Sequence, residues 1–76
     1  MKILVEVSSW FRRYTGDCTV VEINTQEGAT AADAIAAVGI PDEEAGIVVL
    51  NNRKIDHTFI LNDGDRIKIY PYIIGG

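Results

Sequence analysis

The sequence predicts an α+β fold, a mixed sheet of four to five strands packed on one main helix. Three observations predict it. Apolar residues alternate near both ends, at Ile3, Val5 and Val7 and again at Ile67 and Ile69. One alanine-rich helical segment lies between them, bracketed by Thr30 and Gly39. A short apolar run leads into Asn51-Asn52, a pair suited to a tight hairpin.

Residues 2 to 8 set Ile3, Val5 and Val7 on one face against Lys2, Glu6 and Ser8, with Leu4 interrupting the polar side. This is the first strand. A connection rich in aromatic and basic residues ends at Thr15-Gly16-Asp17. Residues 18 to 24 are then β-branched, with Val21 and Ile23 on one side, and form a second strand in hairpin spacing with the first. Thr30 followed three residues later by Asp33 approximates a capping box, and Ala31 to Val38 are mostly strong helix formers. Ala31, Ile35 and Val38 share one face, Gly39 suits a left-handed end, and Pro41 prevents continuation. So short a helix is marginal alone and must lean on the strands.

Residues 47 to 50 form a third strand, and Asn51-Asn52 turn the chain into Arg53-Lys54-Ile55. Leu61-Asn62-Asp63-Gly64-Asp65 is a turn that delivers the last strand, residues 66 to 70, with Ile67 and Ile69 facing one way. Neither repeat nor linker interrupts the order, so residues 1–76 read as a single domain with a flexible Gly-Gly tail from about 74 to 76. If the last strand lies beside the first, the sheet is mixed and the helix covers one face.

Composition narrows the function classes. At 76 residues, folding buries only about 60% of the unfolded chain's surface, leaving little room for an internal active site. The 7 basic residues are outnumbered by 11 acidic ones, and the net charge of −4 disfavours a phosphate-binding surface. Nucleic acid is therefore not an expected partner, and Trp10, Phe11, Arg12, Arg13 and Tyr14 read as a loop packing aromatics on the sheet edge. Without a basic leader, an apolar leader segment or a bilayer-length apolar run, no membrane partner and a cytoplasmic location are expected. Cys18 is the lone cysteine, which excludes an internal disulfide and multi-cysteine metal sites, and it reads as a small apolar strand residue. His57 reads as a solvated loop residue. Asp63 and Asp65 read as turn residues, because Ile67 and Ile69 follow where a calcium loop needs oxygen ligands. No catalytic constellation, metal-ligand spacing or phosphate-binding glycine loop is present, so no enzymatic activity and no bound cofactor or metal are expected.

Chemistry is concentrated at Gly75-Gly76, which follow Tyr72-Ile73-Ile74. At average glycine usage two adjacent terminal glycines arise by chance in roughly one chain in 200. Glycine lacks Cβ, so the pair makes a slim tail able to thread a narrow cleft and expose a carboxylate to activation.

With its element order, Glu27-Gly28-Ala29-Thr30-Ala31-Ala32-Asp33 at the helix opening, the Leu61-Asn62-Asp63-Gly64-Asp65 turn and Ile74-Gly75-Gly76, the chain resembles the ubiquitin-like sulfur carriers over its whole length. That family includes the small subunit of molybdopterin synthase and the sulfur carrier of thiamin biosynthesis. The stretch Phe11-Arg12-Arg13-Tyr14-Thr15-Gly16 looks closer to the molybdopterin type. The resemblance implies a ubiquitin-like β-grasp fold and a cycle. A ubiquitin-activating-type enzyme, using ATP and Mg, adenylates the Gly76 carboxylate. A sulfur donor, such as a cysteine desulfurase, supplies the sulfur that converts it to a thiocarboxylate. A downstream synthase large subunit then receives it.

Docking needs a surface, and the sheet face away from the helix is the expected one. Either Ile47 and Val49 or Val48 and Leu50 must point outward, with some of Tyr70, Tyr72 and Phe59. The candidate partner-binding residues are Phe59, Tyr70, Tyr72, Ile74, Ile47 and Val49, and the candidate adenylation site is Gly75 and Gly76. Two alternatives stay open: a protein modifier forming isopeptides through Gly76, and a binding module similar to the TGS regulatory domains.

Overall fold

The structure is a computed structural model that describes residues 1–72; the expected tail, with Ile74, Gly75 and Gly76, lies outside the described residues. Five strands, β1 (Lys2–Val7), β2 (Val20–Asn24), β3 (Ala45–Leu50), β4 (Arg53–Ile55) and β5 (Arg66–Pro71), form one sheet in the order β2-β1-β5-β3-β4. β1 and β5 run parallel at its centre and the other pairs are antiparallel. The expected mixed sheet is present, and the fold is α+β.

Period-two patterning sends one side of each strand into the core. Ile3, Val5, Ile67, Ile69 and Val48 are fully buried, together with Phe11, Ile35 and Leu61. Each such side chain contributes about 1.5–3 kcal/mol on transfer from water. α2 (Ala31–Val38) covers this face with Ala31, Ala34 and Ile35 buried and Val38 packed at the rim.

The ends of α2 are closed as its sequence requires. Thr30 Oγ1 accepts from Asp33 N at 3.3 Å, and Asp33 Oδ2 accepts from Thr30 N at 2.9 Å. The next orphan donors, Ala31 N and Ala32 N, reach the carbonyls of Phe59 and His57 at 3.0 and 2.9 Å. At the other end Gly39 has φ 94°, and Ile40 N donates back to Ile35 O at 3.2 Å. The connection that precedes β5 is thereby stitched to the helix it passes.

Three local readings change. The aromatic and basic stretch is helical, a 3-10 turn at Ser9–Phe11 followed by α1 (Arg12–Thr15), and Phe11 enters the core instead of resting on the sheet edge. Cys18 is exposed and precedes β2, because Gly16 and Asp17, both with positive φ, spend residue 18 in the turn, where its carbonyl accepts from Thr15 Oγ1 at 2.7 Å. β3 begins at Ala45 and β5 continues to Pro71. Asn51 and Asn52 both take positive φ, the geometry of the expected hairpin turn.

Candidate functional site

The site is built where β5 leaves the sheet. Ala45 pairs with Pro71 and Ile47 with Tyr70, so Gly46 is an extra residue on β3 opposite β5. A Cβ on Gly46 would stand 2.7 Å from Tyr72 N and 2.9 Å from Pro71 C. Glycine is therefore required there by close approach: the backbone of Pro71 and Tyr72 lies on the bare Cα of the bulge.

Around this exit, Trp10, Glu43, Glu44, Pro71 and Tyr72 line a shallow hollow of about 130 Å³. Trp10 and Tyr72 are 58% and 56% exposed. The hollow's wall is held by ionic and aromatic contacts. Arg13 Nη2 donates to Glu44 Oε1 at 2.7 Å, Tyr14 Oη donates to Glu44 Oε2, and the Arg13 guanidinium lies 5.4 Å from the Trp10 ring and 5.0 Å from the Tyr14 ring. The Tyr14 hydroxyl, with help from Arg13, holds the Glu44 carboxyl below the usual carboxylate range, and the same bond raises the Tyr14 phenol. The helical connection after β1 is thus fastened to the segment preceding β3, and together they flank Pro71 and Tyr72.

The outer sheet face adjoins this exit. Register puts Ile47 beside Tyr70, Val49 beside Lys68, Glu6 beside Lys68, and Leu4 beside Arg66. Of the two alternatives left by sequence, the structure has Ile47 and Val49 outward, with Ile47 40% exposed, and Val48 and Leu50 inward. Glu6 is clasped by Arg66 Nη2 and, at 3.1 Å, by Lys68 Nζ, and these bonds lower its carboxyl below the ordinary range. The face is therefore half apolar, at Ile47, Val49 and Tyr70, and half charged.

Not every sequence candidate joins it. Phe59 lies on the connection between β4 and β5 and lines a separate open hollow of about 670 Å³ with Leu50, Asn51, Arg53, Lys54, Ile55 and Asp56. Ile74, Gly75 and Gly76 lie outside the described residues. His57 is half-buried, with Nδ1 3.4 Å from Asp42 Oδ1. Asp63 Oδ1 and Asp65 Oδ2 each accept a backbone N–H at 2.7 Å, from Lys2 and Asn62, which spends both carboxylates on the turn. Among the described residues no group of three or more His, Cys, Asp or Glu is placed to hold a metal. No described helix is long and apolar enough to cross a membrane. Sequence reasoning missed Trp10, Glu43 and Glu44; the signal was an aromatic and basic insert in one connection and an acidic run in another.

No curated protein sequence matches the chain. Its backbone is similar to solved structures. SAMP1 of Haloferax volcanii, called small archaeal modifier protein 1 in a second structure, aligns with TM-score 0.76 at 16% identity, covering 100% of both chains. A Pyrococcus furiosus chain named as molybdopterin converting factor subunit 1 aligns with TM-score 0.75 at 23% identity, over 96% of this chain and 99% of that one. A chain from the complex of subunits 1 and 2 of the Helicobacter pylori molybdopterin-converting factor aligns with TM-score 0.63 at 19% identity, covering 100% of both. These likenesses establish a ubiquitin-like β-grasp. The family model for Mut7-C ubiquitin matches residues 4–74, and the chain belongs to that ubiquitin-like family.

Proposed function

We propose that this protein is a sulfur carrier whose Gly76 carboxylate is the working group. The observation that carries the reading is the exit of β5: a central strand leaves over a glycine bulge, beside exposed Trp10 and Tyr72, and Ile73-Ile74-Gly75-Gly76 follow in the sequence. A rigid sheet holding a side-chain-free end suits presentation of a carboxylate to another protein's cleft. Membership of a ubiquitin-like family and the likeness to a molybdopterin-converting factor subunit support the same reading and favour the molybdopterin type over the thiamin type.

The chemistry follows from the weakness of a carboxylate as acyl donor. A ubiquitin-activating-type partner with Mg-ATP joins a Gly76 carboxylate oxygen to the nucleotide's α-phosphorus and releases pyrophosphate. Sulfide, or a persulfide later reduced by a thiol, attacks the acyl carbon, AMP leaves, and a thiocarboxylate remains. A synthase large subunit would receive that sulfur. ATP and Mg are used by the partner, and the carrier itself needs no catalytic residue or bound cofactor.

The test is the intact mass of protein ending at Gly76 after incubation with a same-cell adenylating enzyme, ATP and sulfide. The mass gain expected is that of one oxygen replaced by sulfur, absent without ATP and absent when Gly76 is deleted. No gain rejects the carrier reading. Ile47→Glu and Tyr70→Glu should retain the fold yet slow adenylation; normal kinetics would remove this face from the docking surface.

A second reading is protein modification, in which a lysine amine replaces sulfide as the attacking group. The likeness to small archaeal modifier protein 1 favours it. Reductant-resistant, Gly76-dependent species of higher mass would distinguish it from sulfur transfer alone.

A further inference from the structure

Beside the exit of β5 the chain sets a carboxylate against exposed aromatic rings. Asp42-Glu43-Glu44 form an acidic run just before β3, and two of the three are engaged within the molecule. Asp42 Oδ1 lies 3.4 Å from His57 Nδ1, and Glu44 accepts from Arg13 and Tyr14. Glu43 is exposed and has no ion-pair partner among the described residues. It lines the hollow of about 130 Å³ together with Trp10, Pro71 and Tyr72.

The molecule itself shows what such a surface accepts. On the adjoining wall the Arg13 guanidinium lies over the Trp10 and Tyr14 rings while it donates to Glu44, so ring and carboxylate together already hold one planar cation. Glu43, Trp10 and Tyr72 repeat that pairing of acid and ring, and here it faces solvent. The net charge of −4 favours the approach of a cation from outside. A hollow of this size takes the end of one side chain and not a helix or a strand.

We propose that this hollow binds an arginine side chain of the protein that activates Gly76, with the guanidinium donating to Glu43 and lying against Trp10 and Tyr72. The inference rests on the reading that Gly76 is adenylated by a partner. Arginine suits the hollow better than lysine, because a guanidinium is planar, stacks on aromatic faces and is the more weakly hydrated of the two cations. The position gives the contact its use. The backbone of Tyr72 is seated on the bare Cα of Gly46, and the four residues from Tyr72 to Gly76 span at most about 14 Å. A partner that grips this point fixes the base of the segment whose far end it must activate.

The first measurement needs no activating enzyme. The ¹⁵N-labelled chain is titrated with N-acetyl-Gly-Arg-Gly-amide and, in parallel, with the same peptide carrying citrulline, the uncharged isostere of arginine. The arginine peptide should shift the Trp10 indole N–H and the Glu43 and Tyr72 amides, the citrulline peptide should not, and Glu43→Gln should abolish the difference. Equal shifts from the two peptides, or arginine shifts as large at Glu27 as at Glu43, overturn the proposal. The second measurement is the KM of the carrier in adenylation by the same-cell enzyme. Glu43→Lys should raise it about tenfold with kcat unchanged, because a like charge then meets the partner's arginine. Glu27→Lys makes the same charge change at the opposite end of the sheet, where Thr25 N meets Met1 O, and should leave KM as it was. An unchanged KM in Glu43→Lys, or an equal rise in both variants, overturns the assignment. The sulfide-dependent mass gain of the parent chain is read separately, so failure of this inference and failure of the carrier reading are distinct results.

Discussion

The two faces of the sheet are made by the same strands, one residue out of phase, and they answer to different physics. Inward, Ile3, Val5, Val7, Val48, Leu50, Ile67 and Ile69 form a continuous apolar layer under α2. Outward, Leu4, Ile47, Val49 and Tyr70 are interleaved with Lys2, Glu6, Arg66 and Lys68. The inner face is specified by hydrophobic volume, so many sequences could supply it. The outer face is specified by which groups lie side by side. Stability should therefore reside chiefly in the first and partner choice in the second.

Adjacent residues of β5 test that division most severely. Ile69 is fully buried and Tyr70 is 37% exposed. Ile69→Ala should cost about 2–5 kcal/mol through lost transfer energy and a cavity. Tyr70→Ala should cost about 1 kcal/mol or less. Urea unfolding followed by circular dichroism reads both, and equal losses would dissolve the contrast between the faces. Gly46 is where the two faces change places on β3, since Ala45 is inward and Ile47 outward with the bulge between them. Gly46→Ala would force a Cβ onto the backbone of Pro71 and Tyr72 and should cost about 1–3 kcal/mol. Its largest amide shifts in NMR should fall at Tyr72 and not in α2; shifts confined to α2 would show that the bulge does not set the exit.

The same bulge explains how far the sequence could be read. Strict alternation identified the inward residues of β1 and β5 directly, and Thr30, Asp33, Gly39 and the Asn51-Asn52 pair located α2 and the hairpin through local chemistry. The run from Ile47 to Leu50 gave no choice of face, because every residue is apolar and the extra residue at Gly46 resets the period where pattern reading would begin. The connection after β1 was harder still. Phe11 enters the core through a 3-10 turn that no two- or 3.6-residue period marks, and the partnership of Arg13 and Tyr14 with Glu44 joins positions about thirty residues apart. The outer clasp of Glu6 by Arg66 and Lys68 spans the chain in the same way. Such long-range polar pairings leave no local signal, and they make up much of the candidate surface.

A smaller effect sharpens the contrast on the helix side. Thr30→Ala removes the acceptor for Asp33 N and one half of the capping box, and should cost about 1 kcal/mol. Thr30→Ser, which keeps the hydroxyl, should restore most of it. Because the Phe59 and His57 carbonyls hold the next two amides, hydrogen exchange should quicken at Asp33 more than at Ala31 or Ala32. Uniform quickening across the first turn would show that the box, and not the connection before β5, anchors the helix.

The smallest effect is electrostatic and belongs to the outer face. Arg66 first and Lys68 second lower the Glu6 carboxyl in the folded protein, while the unfolded chain leaves it at its ordinary value. A depressed folded value means the clasp stabilises the fold fully above the ordinary glutamate range. That contribution fades as pH falls through the lower folded value, where Glu6 takes up a proton in both states. Because the pair is largely solvated, the amount at stake is about 0.2–1 kcal/mol. Urea midpoints followed from neutral to acidic pH should therefore decline less steeply for Glu6→Gln than for the parent, with the gap closing at low pH. Added salt should shrink the difference at neutral pH, because a solvated pair is screened. A gap that persisted at low pH would mean that Glu6 acts through packing of its stem against β5, and the division between a stabilising face and a recognising face would have to be redrawn at that strand.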